Sequence, residues 1–161
     1  MTIHFILNGE DITFRSEANV RLIEILRVHL GLTGSKAGCL TGKCGACTVL
    51  FNGSVINACL IPAFRLHGGE IITIEGFELT AEYQDIAAGF SHANLDECGY
   101  CRTSKILNAH ALLERKKRPQ RHEIVQAFSG IKCRCNDPEK LVESVERTIE
   151  IRQRRLYGRS V

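Results

Sequence analysis

Tryptophan is absent from the 161 residues, and aromatic side chains make up only 6% of them. Aromatics carry much of the apolar area in an ordinary core, so two small domains cut from this length would each have a thin one. Domains of that kind need a staple, whether a metal, a cluster or a disulfide. Long apolar runs are lacking too. Nothing in the chain reads as a bilayer span, and no membrane insertion is expected. The opening segment "MTIHFILNGEDITF" has no basic stretch leading into an apolar one, and there is no twin-arginine signal. A cytoplasmic address is therefore expected. An excess of one charge is also missing: 21 Lys and Arg against 18 Asp and Glu leave a net charge of +3. Nucleic-acid binding would want a basic stripe interleaved with stacking aromatics, so no nucleic-acid partner is expected. The densest basic stretches are "ERKKR" at Glu114–Arg118 and the arginine-rich run from Arg152 to Arg159. They read as solvated helix ends favoured by the helix dipole, with partner docking as a second reading.

Cysteine, by contrast, is plentiful. Eight cysteines in a reducing compartment are more readily ligands than disulfides. The elements around them change character midway. Ile3, Phe5 and Leu7 alternate with other residues, Asn8-Gly9 signals a tight hairpin, and Ile12 and Phe14 resume the alternation. From Val20 the period becomes helical, with Leu22, Ile23, Leu26 and Leu30 on one face and Gly31 as the stop. "TVLFNGSVI" predicts two short strands around Asn52-Gly53, and "EIITIEG" another strand ending near Gly76. The second half predicts four helices, marked by Tyr83 to Phe90, Ile106 to Leu113, Ile124 to Phe128 and Leu141 to Ile149. Asp137-Pro138 is a suitable start for the last. The boundary falls near Phe77–Thr80, dividing the chain into residues 1–77 and 78–161.

Cys39, Cys44, Cys47 and Cys59 follow a C-x₄-C-x₂-C…C spacing, the plant-type [2Fe–2S] pattern. Bridging sulfides are anionic and want N–H donors, so the backbone must wrap closely, and Gly38, Gly42 and Gly45 suit that task. Four cysteines can also hold tetrahedral zinc, but zinc sites favour two separated hooks over three ligands crowded into one loop. In the second half Cys98-x₂-Cys101 and Cys133-x-Cys135 form two hooks, each just before a helix. Two helix N-termini aimed at one spot would suit an anionic cluster. Taken alone, this second set leaves iron–sulfur, zinc and a redox dithiol open.

Together "GLTGSKAGC", "CGACTVLFNG", "ECGYC" and "CRC" resemble the small iron–sulfur subunit of xanthine-oxidase-type molybdenum hydroxylases. The resemblance implies an α+β chain: an N-terminal β-grasp, plant-type ferredoxin-like domain, then an all-α four-helix-bundle domain. Each would hold one [2Fe–2S] cluster, the first on Cys39, Cys44, Cys47 and Cys59, the second on Cys98, Cys101, Cys133 and Cys135. It further implies an electron-transfer role within a heteromeric oxidoreductase. The relay would run from molybdopterin on a large partner subunit to FAD on a medium one, in a dimer of heterotrimers, with no substrate site in this chain. A two-cluster ferredoxin serving a partner without molybdenum is the alternative, and a zinc-stapled interaction module stands behind it.

The chain also departs from the family pattern. Glu97 replaces the usual Gln whose amide touches the pterin, and a carboxylate cannot supply the N–H. Arg102-Thr103-Ser104-Lys105 replaces Thr-Pro-Gly-Met, Asn136-Asp137-Pro138 follows the last cysteine, and Leu40 stands where Gly is usual. Thr103 or Ser104 is expected to cap the helix that follows. Arg102, Lys105, Lys132 and Arg134 lie near the second set in sequence, and positive charge there would raise a cluster's potential. The six histidines read as surface or packing residues.

Overall fold

The computed structural model describes residues 1–95, 98–135 and 137–158. Its first strand, β1 (Thr2–Leu7), buries Ile3, Phe5 and Leu7 and leaves the residues between them exposed. Asn8 and Gly9 both take positive φ, 52° and 85°, the backbone a two-residue hairpin needs to match strand twist. β2 (Glu10–Arg15) then returns antiparallel, with Ile3 opposite Phe14. Asn52-Gly53 repeats the device between β3 (Thr48–Phe51) and β4 (Ser54–Asn57). With β5 (Glu70–Ile72) the strands form one sheet in the order β2-β1-β5-β3-β4, β5 running parallel to β1 and antiparallel to β3.

The helix crossing this sheet differs in detail from its expected form. α1 (Leu22–Glu24) passes into a π-helical turn over Ile25–His29, closed by Leu30 N–H donating to the Ile25 carbonyl at 3.0 Å. The wider turn still buries Leu22, Ile23, Ile25 and Leu26 against the sheet. The strand expected to reach Gly76 stops at Ile72 instead. There the Thr73 N–H donates to the Asn8 side-chain oxygen at 2.8 Å, and the chain turns into α2 (Ile74–Phe77).

Four longer helices follow, as the periodicity requires: α3 (Ala81–His92), α4 (Arg102–Arg115), α5 (Arg121–Phe128) and α6 (Pro138–Tyr157). Thr80 caps α3, Gln120 and Glu123 close a capping box on α5, and Asp137 accepts from Glu139 N–H at the start of α6. α3 and α6 approach closely at Gly89, where a Cβ would run into Thr148 and the Ser144 carbonyl. Leu50, Ile74 and Phe77 from the first half join Ile86, Ile106, Leu112 and Val145 in the helical core, so the two halves share packing. Among the described residues no helix is long and apolar enough to cross a membrane.

The arginines of α6 clamp the bundle as well as facing solvent. Arg152 donates to Glu114 of α4 at 2.7 Å, and Arg155 grips both oxygens of buried Asp85 of α3 at 2.9 and 3.0 Å. Arg159 lies outside the described residues. Asp85→Asn removes the charge from a bidentate contact whose carboxylate is buried, and is expected to lower the midpoint of a denaturant titration.

His110 is a packing residue, its ring centroid 4.6 Å from that of Phe77. Burial holds its pKa below the ordinary 6.5, because the charged ring would lose its water. Below that value the unfolded chain therefore takes up a proton that the folded one resists, and stability falls as pH drops. Replacing His110 by Phe should flatten the fall in denaturation midpoint between about pH 7 and about pH 5.

Candidate metal centres

The loop between the π turn and β3 folds back on its own sulfurs. Thr41, Lys43 and Cys44 point their backbone N–H groups at Cys39 Sγ, at 3.4, 3.2 and 3.3 Å, and Cys39 N–H points at Cys44 Sγ at 3.4 Å. Hydrogen bonds from Thr41 and then from Cys44 hold the Cys39 thiol down at about 6, favouring the thiolate in which a cysteine binds metal. Cys47, at the foot of β3, is buried and pairs with Cys59, which the 3₁₀ turn Ala58–Leu60 returns to the site. Burial pushes the Cys47 thiol up to about 12. The four sulfurs are linked further by the nearness of Cys44 to Cys47.

The glycines of this loop serve different ends. A Cβ on Gly38 would sit 2.7 Å from Cys44 Sγ, so the bare backbone makes room for a sulfur. Gly42 turns under Leu60. At Gly45 the crowding comes from the other half of the molecule, since a Cβ would meet the Gly130 carbonyl at 2.7 Å. Leu40, standing where glycine is usual, keeps a glycine-like φ of 57°, held there by Arg21 donating to its carbonyl at 3.0 Å.

The second set assembles where α4 begins. Cys101 is the residue before the helix, and burial, with its neighbour Cys133, pushes its thiol up to about 12. Cys98 is exposed, lowered by the backbone N–H groups of Tyr100 and Cys101 and by the Cys135 thiol, which Cys98 raises in turn. None of the eight cysteines is joined in a disulfide. Each set thus resolves into two pairs, Cys39 with Cys44 and Cys47 with Cys59, then Cys101 with Cys133 and Cys98 with Cys135. Among the described residues no three His, Cys, Asp or Glu side chains converge on a single-ion site. Two pairs of thiolate donors under backbone N–H groups suit the two irons of an anionic [2Fe–2S] cluster. Glu97, expected beside a pterin, lies outside the described residues.

Thr103 and Ser104 do not cap α4. They reach across to the first loop instead: Thr103 donates to the Gly34 carbonyl at 3.2 Å and Ser104, fully buried, to the Gly45 carbonyl at 2.6 Å. Tyr100, between Cys98 and Cys101 in sequence, donates to the Ala37 carbonyl at 3.0 Å. Lys132 N–H donates to the Cys44 carbonyl at 3.0 Å. Cys133 follows Lys132 directly, so a peptide link and one hydrogen bond connect a cysteine of the second set to one of the first. These bridges were missed from sequence. Hydroxyl residues just inside a helix that already starts on a cysteine were the available signal.

The comparisons with known proteins agree with this layout. Residues 5–67 match the family described as "2Fe-2S iron-sulfur cluster binding domain", and residues 73–146 match "[2Fe-2S] binding domain". The chain is 39% identical over 150 residues to the nicotinate dehydrogenase small FeS subunit of Eubacterium barkeri, covering 93% of this chain and 96% of that protein. It is 33% identical over 146 residues to the isoquinoline 1-oxidoreductase subunit alpha of Brevundimonas diminuta, covering 90% and 95%. The solved quinoline 2-oxidoreductase from Pseudomonas putida 86 superposes with a TM-score of 0.87 at 30% identity, covering 99% of this chain and 98% of that one. A β-grasp half and a helical half, matched end to end in this way, make the chain a member of the xanthine oxidase family of molybdenum hydroxylases, as its small iron–sulfur subunit.

Proposed function

We propose that residues 1–77 and 78–161 form two electron-carrying units. The first holds a [2Fe–2S] cluster on Cys39, Cys44, Cys47 and Cys59, the second on Cys98, Cys101, Cys133 and Cys135. Each cluster supplies reversible one-electron chemistry when bound. The chain's own residues fix the ligands, insulate them and join the two centres. The hydrogen bond from Lys132 N–H to the Cys44 carbonyl carries this reading, because it gives a short route between the two ligand sets. Burial of Cys47, Cys59 and Cys101 keeps water from part of each centre, while exposed Cys39 and Cys98 leave an edge open toward other proteins.

In the assembled enzyme the relay runs from molybdopterin on the large subunit to FAD on the medium one. A dimer of such heterotrimers in the cytoplasm is the assembly proposed. The names of the relatives do not favour a free-standing ferredoxin. Co-expression with the two partner genes and anaerobic purification test the reading. The expected product is a red-brown three-subunit complex with about four irons and four sulfides per small chain and two EPR signals on reduction. Native mass spectrometry gives the copy number. A colourless chain loaded with zinc, or one that leaves both partners behind, would overturn it.

A further inference from the structure

Of the four cations near the second cysteine set in sequence, three are exposed: Arg102, Lys132 and Arg134. Their charge is spread into water and screened by salt. Lys105 is different. Its side chain is 1% exposed, the largest of the fully buried side chains among the described residues. It sits in the first turn of α4, its N–H bonded to the Cys101 carbonyl at 3.1 Å. It also lines a cavity of about 210 Å³ with Cys133, Phe128, Ile131, Leu141 and Val142. Apolar walls on that side lower the local dielectric and lengthen the reach of the charge.

We propose that Lys105 sets the reduction potential of the second centre, its buried ammonium stabilising the reduced, more negative cluster over the oxidised one. The proposal rests on the reading of Cys98, Cys101, Cys133 and Cys135 as the ligands of that cluster. One electron arrives and no proton need follow, because the cation is already in place. Lys105 has partners of its own. Its side chain nevertheless lines the same cavity as Cys133, one of the four cysteines of that centre. Burying an ammonium is costly, and a side chain such as methionine would fill the same space without that cost. The neighbouring positions also argue for a role beyond packing. Ile106 and Leu107 supply the apolar contacts of this turn, and Thr103 and Ser104 supply its bridges to the first loop.

The test is an EPR-monitored redox titration of the complete complex carrying Lys105→Met, Lys105→Gln or Lys105→Arg. In the first two, one of the two cluster signals should move to lower potential while the other holds. The expected fall is a tenfold or larger loss in the reduction equilibrium, about 59 mV for a one-electron couple. Lys105→Arg, which keeps the charge, should stay near the wild type. If both signals hold, or both move together, the proposal fails. It also fails if Lys105→Met and Lys105→Gln alike lose the second cluster, since Lys105 would then serve assembly. Wild-type complex lacking two [2Fe–2S] signals would overturn the underlying ligand assignment instead, so the two failures are distinguishable.

Discussion

Replacing Cys101 by serine is expected to remove one of the two EPR signals and lower iron from about four to about two per small chain. Electron delivery to the flavin should fall by at least about a hundredfold, since even outer-shell changes at metal sites cost up to that much. The reason lies in where Cys101 stands. It is the buried member of its set, it directly precedes α4, and it pairs with Cys133 on the segment joining α5 to α6. No water reaches this position easily to replace the lost thiolate. Cys47→Ser is the counterpart in the first loop, buried among Val49, Ala58 and Ile71, and should remove the other signal. Iron analysis and EPR on both variants read the outcome. A variant that kept four irons and both signals would show that its cysteine is not a ligand.

The gathering of the first four cysteines was legible in the sequence because its information is local. Three of the first set sit within nine residues, and the spacing alone encodes a loop that wraps on itself. The hairpins were legible for the same reason: Asn8-Gly9 and Asn52-Gly53 take the positive φ that their chemistry permits. What stayed hidden depends on partners far along the chain. Strand β5 ends at Ile72 because Asn8, in the turn between β1 and β2, captures Thr73. Thr103 and Ser104 look like helix caps in a local window, yet their acceptors are Gly34 and Gly45. The π turn in the first helix left no mark either, since Leu22, Ile25 and Leu26 satisfy an α-helical period equally well. Lys105 reads from sequence as one of several cations, and only its burial separates it from the others.

Gly45→Ala is expected to push the two centres apart and to cost about 3 kcal/mol, combining a left-handed backbone with an overpacked contact. Gly45 has φ +73°, and a Cβ there would stand 2.7 Å from the Gly130 carbonyl and 3.2 Å from Ile131 Cα. Both obstacles are backbone, so neither can swing aside as a side chain would. The same residue offers its carbonyl to two buried hydroxyls, Thr48 and Ser104, each at 2.6 Å. Displacing it would loosen these bonds along with the adjacent Lys132 N–H to Cys44 link. Electron exchange between the centres should slow even where both clusters are retained, and stopped-flow reduction of the complex reads this directly. Gly130→Ala supplies the control, because a Cβ at Gly130 meets nothing within 4 Å. That change should leave stability within about 0.5 kcal/mol and the exchange rate unaltered. Equal effects at the two glycines would mean that the contact between the loops does not govern the relay. A loss confined to Gly45 would place the control of electron passage at the point where the two loops touch.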